Sequence, residues 1–213
     1  MTKDYISDLR SQIEKECRFC NPPEKERILY ETDNFYVMVS LGPIIEGYLL
    51  IVSKEHISAC LNIPDEIWPE FIQLKEKVRK LLSQIYGGCL FYEHGKIGTS
   101  LTIGLDHRHC FHSHLHCIPT SINFNQVIGS ELVGIRFSNI SDAHNYVTSQ
   151  GIERYLLVED SQTILYLPQG DLRSQYLRFK LAEAIGKPDN WNWIQNQNWP
   201  MINKTIDRLS SHF

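Results

Sequence analysis

Three histidines at alternate positions form the chemically most distinctive pattern in this sequence: His112, His114 and His116, in a β-rich run before Pro119. Successive side chains of a strand point to opposite faces, so the three imidazoles share one face. A neutral imidazole is a nucleophile and later a leaving group, which suits phosphoryl or nucleotidyl transfer through a phosphoramidate. The spacing fits an ordinary polar strand face equally well, and on spacing alone both interpretations stay open.

A second pattern is the pair Cys17 and Cys20, separated by two residues, in a chain with six cysteines. In a reducing compartment such a pair is half of a metal site or a redox motif. A redox motif is expected near a βαβ pattern, which this region lacks, so a metal site with two distant histidines is favoured over a redox pair or unmetallated thiols. Cys60 and Cys89 are interpreted as ordinary core residues.

These residues need a scaffold, and the pattern around them predicts a sheet and a long helix. The runs Ile28–Glu31, Phe35–Leu41 and Tyr48–Ser53 are β-rich and separated by turn residues, which indicates an antiparallel meander. Apolar residues recur at helical spacing from Asp65 to Tyr86, where two glycines follow, so a long helix is predicted to pack on one sheet face. An amphipathic helix is predicted over residues 3–16.

The remaining chain is predicted to add a loop and a C-terminal extension. A buried strand over Cys89–Tyr92 precedes the Gly- and Ser-containing stretch Gly95–Gly104, which is a natural place for a ligand. Beyond Thr120 the sequence predicts two short strands, one helix and a Trp-rich end, over Tyr155–Val158, Thr163–Leu167 and Ser174–Ile185 and around Trp191, Trp193 and Trp199. We therefore expect a domain over 1–122 and an α/β extension over 123–213 packed on it.

Length and composition limit the class of protein. The 213 residues are 42% hydrophobic and 22% charged, as in ordinary globular chains, and the formal net charge is −4. The negative charge and the lack of a basic tract count against nucleic acid as a partner. No apolar run approaches the roughly 20 residues that span a bilayer, and the N-terminus lacks a signal-peptide core, so we expect a cytoplasmic protein without a membrane partner.

Taken together, the motifs resemble those of the histidine-triad (HIT) superfamily, whose signature is His-φ-His-φ-His-φ-φ with φ apolar. The run His112–Ile118 follows it except at the polar Ser113. The Cys-x-x-Cys pair, the run Gly47–His56 and the long helix come in the family's order, over about residues 17–120. The resemblance implies an α+β fold with an antiparallel sheet of about five strands and a long helix packed on it. It also implies a homodimer, since family members commonly dimerise.

The resemblance carries roles to particular residues. In the family the central histidine attacks the α-phosphate of a nucleotide, which implies that His114 is the nucleophile and that His116 contacts phosphoryl oxygens. In bacterial-type members with the Cys-x-x-Cys pair, zinc is bound by four side chains, and the implied ligands here are Cys17, Cys20, His56 and His112. Two thiolates and two imidazoles leave no open position, so this Zn²⁺ would be structural.

Substrate contacts are expected at five further positions: Ser40, His94, Gly95, Lys96 and Arg108. Ser40 stands where many nucleoside-binding members have an aspartate that holds ribose, and Glu93-His94-Gly95 stands for a typical Asn-x-Gly. Adjacent strand residues face opposite ways, so we expect His94 to face the site and Glu93 to be structural. Lys96 and Arg108 are candidate phosphate contacts or solvated surface charges. His107 and His109 either extend the histidine face or are polar loop residues.

The function implied is a nucleotide hydrolase or nucleotidyltransferase that forms a covalent nucleotidyl-histidine. Diadenosine polyphosphate-like compounds and other nucleotide conjugates are its candidate substrates. The alternative is a catalytically weak nucleotide-binding or interaction module that keeps the structural zinc. The extension is expected to cover the site, with Arg173 or Gln175 reaching inward.

Overall fold

A computed structural model describes residues 17–96, 111–170 and 172–213. Over these ranges the strands are β1 (Ile28–Glu31), β2 (Phe35–Val39), β3 (Leu49–Ser53), β4 (Leu90–Gly95), β5 (His114–Ile118), β6 (Gly134–Phe137), β7 (Tyr155–Glu159) and β8 (Thr163–Tyr166). The α-helices are α1 (Trp68–Tyr86), α2 (Phe124–Gly129), α3 (Ile140–Gln150), α4 (Tyr176–Ala184) and α5 (Trp199–Leu209). The predicted helix over 3–16, most of the Gly95–Gly104 stretch, and His107, Arg108 and His109 lie outside the described residues.

The strands form one antiparallel sheet in the order β1-β2-β3-β5-β4-β7-β8-β6. The histidine strand β5 lies between β3 and β4, where Val52 pairs with His114 and Tyr92 with His116. Neighbours on both sides fix the register of β5, and a slip of one residue would turn every histidine to the other face. The sheet therefore determines which way the histidines point.

The prediction of an α+β fold with an antiparallel sheet is confirmed, but the prediction of about five strands was too low. Strands β6, β7 and β8 all come from residues after 122 and extend the sheet beyond β4. Strand β7 pairs along β4 from Phe91↔Glu159 to Gly95↔Tyr155, which satisfies backbone groups that an edge strand would leave unpaired. The sheet thus crosses position 122, and the division into 1–122 and 123–213 stays a prediction.

The long helix α1 packs on the sheet face that carries Leu115 and Cys117. Pro69 lies in its first turn and Gly87 ends it with a φ of 85°, a conformation that glycine adopts without a Cβ clash. Its buried apolar side chains recur at the spacing of one helix face: Trp68, Phe71, Leu74, Val78, Leu81 and Leu82. Helix α1 confirms the helix predicted from Asp65 to Tyr86 and leaves the histidine face to other elements.

The opposite face, which carries His116, is covered by α2 and α4 of the C-terminal part. Helix α4 confirms the helix predicted over Ser174–Ile185. The elements α2, α3, α5 and β6 were not anticipated, although α3 carries ordinary boundary signals. The side chain of Asn139 accepts a hydrogen bond from the Asp142 amide at its start, and Gly151 ends it with a φ of 61°. Among the described residues, no helix has the length and apolar character that a membrane crossing needs.

Candidate active site and metal centre

Two cysteines and two histidines from distant parts of the sequence meet at one end of β5. The Sγ atoms of Cys17 and Cys20 and the Nδ1 atoms of His56 and His112 all lie within 4.8 Å of one another. The Nδ1 atoms of His56 and His112 are 3.3 Å apart, and Sγ of Cys20 is 3.2 Å and 3.6 Å from them. Sγ of Cys17 is 3.5 Å from Nδ1 of His112.

These separations match the edges of a tetrahedral metal site. Zinc lies about 2.3 Å from sulfur and about 2.05 Å from nitrogen, which puts ligand atoms on a tetrahedron about 3.3 Å apart for two nitrogens and about 3.6 Å apart for nitrogen and sulfur. The distances in the cluster lie within about 0.4 Å of those values. A two-sulfur, two-nitrogen tetrahedral set favours zinc over magnesium or calcium. The four residues therefore fit the implied ion.

The tautomer of His112 also suits a metal ligand. Its Nε2 lies 2.7 Å from the carbonyl oxygen of Ser53, which can only accept, so Nε2 carries the proton and donates. That leaves the lone pair of Nδ1 directed at the cysteines. A backbone acceptor on the far nitrogen is the usual outer-shell support for a metal-binding histidine.

His114 has the opposite tautomer. Its Nδ1 is 2.6 Å from the carbonyl oxygen of His112 and must donate to it. In the neutral ring the proton is therefore on Nδ1, and Nε2 carries a lone pair. The side chain is half-buried, whereas His112 and His116 are buried. A fixed, neutral imidazole with an unprotonated nitrogen has the geometry of a nucleophile.

The cysteine loop lies directly on His114. The ring of Phe19, between the two cysteines, stacks on the His114 imidazole with centroids 4.7 Å apart and planes 26° apart. The Tyr36 hydroxyl donates to the Phe19 carbonyl oxygen at 2.7 Å and so holds the loop against β2. The candidate metal centre and the candidate nucleophile are therefore one structural unit, and Phe19 is a contact that the sequence analysis missed.

His116 is held by two tyrosines that the sequence analysis also missed. Its Nδ1 is 2.7 Å from the Tyr48 hydroxyl, which is 2.5 Å from the Tyr92 hydroxyl. The Tyr92 ring stacks on the imidazole with centroids 4.5 Å apart. Burial lowers the pKa of His116 well below its usual value, so the ring is neutral. The alternation of side chains along a strand could have predicted one of these contacts, because Tyr92 lies two residues before His94 and faces the same side of the sheet.

His94 and Glu93 point to opposite faces, as expected for neighbours on β4. Nε2 of His94 accepts a hydrogen bond of 2.9 Å from the Leu177 amide in the first turn of α4. Burial lowers the pKa of His94 to about 3. The Glu93 carboxylate accepts from the Cys60 amide and from the Tyr155 hydroxyl, both at 2.6 Å, on the face away from the histidines. Glu93 is thus structural, and the substrate role of His94 stays a prediction.

Three other predicted substrate contacts have packing partners in the protein. Ser40 is 3% exposed, and its hydroxyl donates to the Leu41 carbonyl oxygen. A Cβ on Gly95 would lie 2.3 Å from the Tyr155 ring, so this close approach requires glycine. The ammonium of Lys96 is 3.1 Å from the Glu153 carboxylate. Their roles toward substrate stay predictions, as does that of Arg108.

Helices α2 and α4 of the C-terminal part pack on the histidine face, and Arg173, before α4, is exposed. That the extension covers the site stays a prediction. The Arg173 guanidinium lies 3.6 Å and 4.4 Å from the ring centroids of Phe179 and Trp191. The Oε1 atom of Gln175, at the start of α4, is buried without a hydrogen-bond partner. The inward reach of either residue toward a substrate stays a prediction.

Comparison with known proteins places this geometry in a family. Residues 7–131 match the family model described as "Protein similar to CwfJ C-terminal", which is more than half of the chain. The chain belongs to this family. The CwfJ-like segment contains the cysteine pair, His56, α1 and all three histidines of the row.

This CwfJ-like chain is also 28% identical over 111 residues to an uncharacterized HIT-like protein of Borreliella burgdorferi, across 49% of this chain and 75% of that protein. The prediction of a HIT-like protein is confirmed.

Solved structures give partial likenesses. A hypothetical histidine triad nucleotide-binding protein from Sulfolobus tokodaii is 15% identical with a TM-score of 0.38, over 91% of this chain and 93% of that one. A zinc-bound histidine triad family protein from Mycobacterium smegmatis is 15% identical with a TM-score of 0.34, over 67% and 90%.

Proposed function

We propose that this HIT-like protein is a nucleotide hydrolase or nucleotidyltransferase that acts at the α-phosphate through a nucleotide bound covalently to His114. The observation that carries the proposal is the 2.6 Å hydrogen bond from Nδ1 of His114 to the His112 carbonyl oxygen. It fixes the tautomer in which Nε2 carries the lone pair that would attack phosphorus. His114 is also the least buried of the three histidines in the row.

The surroundings of His114 support nucleophilic attack on a phosphate. Burial lowers the pKa of His94 and of His116, so both neighbours are neutral near pH 7. A neutral imidazole still has one N–H and can donate it to a phosphoryl oxygen. Donors fixed in advance stabilise charge that develops on the equatorial oxygens without reorganisation.

In the proposed reaction, Nε2 of His114 attacks the α-phosphorus. The bond from Nε2 to phosphorus forms as the bond from phosphorus to the leaving group breaks, which is P–O in polyphosphates and nucleotide sugars and P–N in phosphoramidates, and the leaving group takes a proton from solvent. Water or another acceptor then attacks phosphorus, the bond from Nε2 to phosphorus breaks, and the acceptor loses a proton. The sum is hydrolysis or transfer of a nucleotidyl group, and His114 is returned neutral with its proton on Nδ1.

Zinc has a structural role in this proposal. Cys17, Cys20, His56 and His112 would hold it, and four protein ligands leave no position for substrate. When bound, the ion supplies a cross-link rather than Lewis acidity. It would fix His112, whose carbonyl orients His114, and Phe19, which stacks on the His114 ring.

The test is detection of the covalent intermediate by intact-protein mass spectrometry. Wild type and His114→Ala react briefly with diadenosine polyphosphates, nucleoside phosphoramidates and nucleotide sugars, and the reaction is quenched with alkali because phosphoramidates are acid-labile. We expect a nucleotidyl adduct in wild type and none in His114→Ala. The matched control is His212→Ala, which changes an exposed histidine near the C-terminus and should leave the adduct intact.

Two results would contradict the proposal. An adduct that persists in His114→Ala would place the nucleophile elsewhere. Tight binding of a mononucleotide without an adduct or product from any donor would favour the alternative, a nucleotide-binding module with a structural metal.

A further inference from the structure

The buried tyrosine pair beside His116 has a definite direction of hydrogen bonding. The Tyr48 hydroxyl is close to two groups, the Tyr92 hydroxyl at 2.5 Å and Nδ1 of His116 at 2.7 Å. A phenol has one proton, so Tyr48 donates to one neighbour and accepts from the other. Both tyrosines are 0% exposed, and solvent cannot satisfy either hydroxyl.

The two directions differ in what they leave unsatisfied. If Tyr48 donated to Tyr92, the proton of Tyr92 would need another acceptor, and the hydroxyl partner that the structure gives Tyr92 is Tyr48 itself. A buried donor without an acceptor costs free energy. If Tyr92 donates to Tyr48 and Tyr48 donates to Nδ1 of His116, both phenol protons are used. The second direction is therefore favoured.

A positive charge near Tyr48 supports the same direction. The guanidinium of Arg178, on α4, lies 5.3 Å from the centroid of the Tyr48 ring. It is held there by the carbonyl oxygens of Gly42, at 2.5 Å, and Trp191, at 3.0 Å. A nearby cation makes a phenol a stronger donor. Burial nevertheless raises the pKa of Tyr48, so the hydroxyl keeps its proton to donate.

We infer that Tyr48 and Tyr92 are positioning residues: the relay from Tyr92 through Tyr48 to Nδ1 holds the proton of neutral His116 on Nε2, where it donates to a phosphoryl oxygen. The stack of Tyr92 on the imidazole fixes the plane of the ring, and the relay fixes its tautomer. The rings of His114 and His116 lie 4.9 Å apart between centroids. One histidine thus presents a lone pair and its neighbour presents a proton.

The role in phosphate stabilisation rests on the proposed function, whereas the tautomer of His116 can be measured without a substrate. Protein labelled with ¹⁵N-histidine is studied by two-bond ¹H–¹⁵N correlation, with the His116 signals assigned from a His116→Gln variant. We expect wild-type His116 to carry its proton on Nε2. Tyr48→Phe should shift His116 toward a mixture of tautomers, and Tyr92→Phe should cause a smaller shift because Tyr48 can still donate.

The kinetic readout uses a nucleotide conjugate that wild type cleaves. Loss of a direct charge-stabilising donor costs about 100-fold or more in kcat, so loss of its positioning partner in Tyr48→Phe should cost about tenfold, with KM changed less than about twofold. Tyr30→Phe, on the edge strand β1, is the control and should change neither readout. Thermal unfolding of each variant shows that the fold is retained, and Tyr92→Phe provides a second test should Tyr48→Phe fail to fold.

Three results would overturn the inference. They are a proton on Nδ1 of His116 in wild type, an unchanged tautomer in Tyr48→Phe, and a tautomer shift in Tyr48→Phe with unchanged kcat. If wild type cleaves no nucleotide conjugate, the proposed function fails, and the NMR measurement still decides the direction of the relay.

Discussion

Both faces of the sheet bury ionisable side chains, but these side chains differ in whether they change protonation near pH 7. On β4, Glu93 points to the α1 face and His94 to the histidine face. Burial raises the pKa of Glu93 to about 7 and lowers that of His94 to about 3. The same cause favours the uncharged form of each group. His94 is therefore neutral throughout the physiological range, while Glu93 titrates within it.

The two faces differ more strongly in charge at other residues. The α1 face contains an ion cluster, in which the Lys75 ammonium is 2.7 Å from the Glu159 carboxylate and Arg79 contacts the same carboxylate. The described part of the histidine face instead holds neutral rings and hydroxyls fixed by hydrogen bonds around His114 and His116, and its buried Arg178 donates to the backbone carbonyl oxygens of Gly42 and Trp191. The comparison indicates that charge pairs on one face hold the strands and α1 together, whereas hydrogen bonds on the other face hold neutral donors and acceptors in place.

The largest expected effect comes from the metal centre on the histidine face. Cys20→Ala removes one of the four candidate ligands and should abolish stoichiometric zinc binding. Structural zinc contributes about 10–16 kcal/mol in small zinc-finger peptides. This chain has its own hydrophobic core, so we expect a smaller loss, about 5 kcal/mol in the free energy of unfolding. Zinc content by plasma mass spectrometry and urea denaturation measure the two effects.

Cys89→Ala is the matched control because Cys89 packs on the α1 face, away from the metal centre. It should keep one equivalent of zinc. Full zinc content in Cys20→Ala, or unchanged stability after zinc is lost, would show that the cysteine loop does not depend on a metal.

A smaller loss is expected from the ion cluster. Lys75 is 2% exposed. In Lys75→Met, the Glu159 carboxylate would keep Arg79 as its one cationic partner among the described residues. The Oε2 atom of Glu159 is buried without a hydrogen-bond partner already in wild type. Removal of one partner from a buried pair costs about 3 kcal/mol. Urea denaturation should show this loss for Lys75→Met and less than about 0.5 kcal/mol for Lys80→Met, an exposed position on the same helix. Equal effects at the two positions would mean that the cluster adds nothing beyond helix propensity.

Sequence patterns predicted the parts of this site that depend on period and motif. The alternate spacing placed the histidines on one face, and the resemblance brought Cys17, Cys20, His56 and His112 together. Patterns did not predict the partners that come from strand register and distant packing. Tyr48 directly precedes β3 and contacts His116 on the neighbouring strand β5, 68 positions away in the sequence. The Leu177 amide contacts His94 from a helix 83 positions away. Sequence patterns also did not predict that strands after residue 122 extend the sheet, because β7 meets β4 only through long-range pairing.

The last prediction uses the pH dependence of Glu93 and His94 to test the comparison itself. The folded-state pKa of Glu93 is raised, so its stabilising contribution is present at low pH and is lost as pH rises through about 7. From its ordinary value near 4.5, this loss amounts to about 2 kcal/mol between about pH 5 and pH 7. Glu93→Gln should therefore gain stability relative to wild type as pH rises.

His94 should give the opposite slope. Its folded-state pKa is lowered to about 3, so its contribution is lost as pH falls below 6.5. Part of His94 reaches solvent, and we expect a smaller change of about 1 kcal/mol over the same interval. His94→Gln, whose side-chain oxygen can still accept from Leu177, should thus gain stability relative to wild type at the acid end. Urea denaturation of wild type and the two variants at several pH values measures how each stability difference changes with pH. Changes of the same sign would show that burial does not favour the uncharged form of both Glu93 and His94.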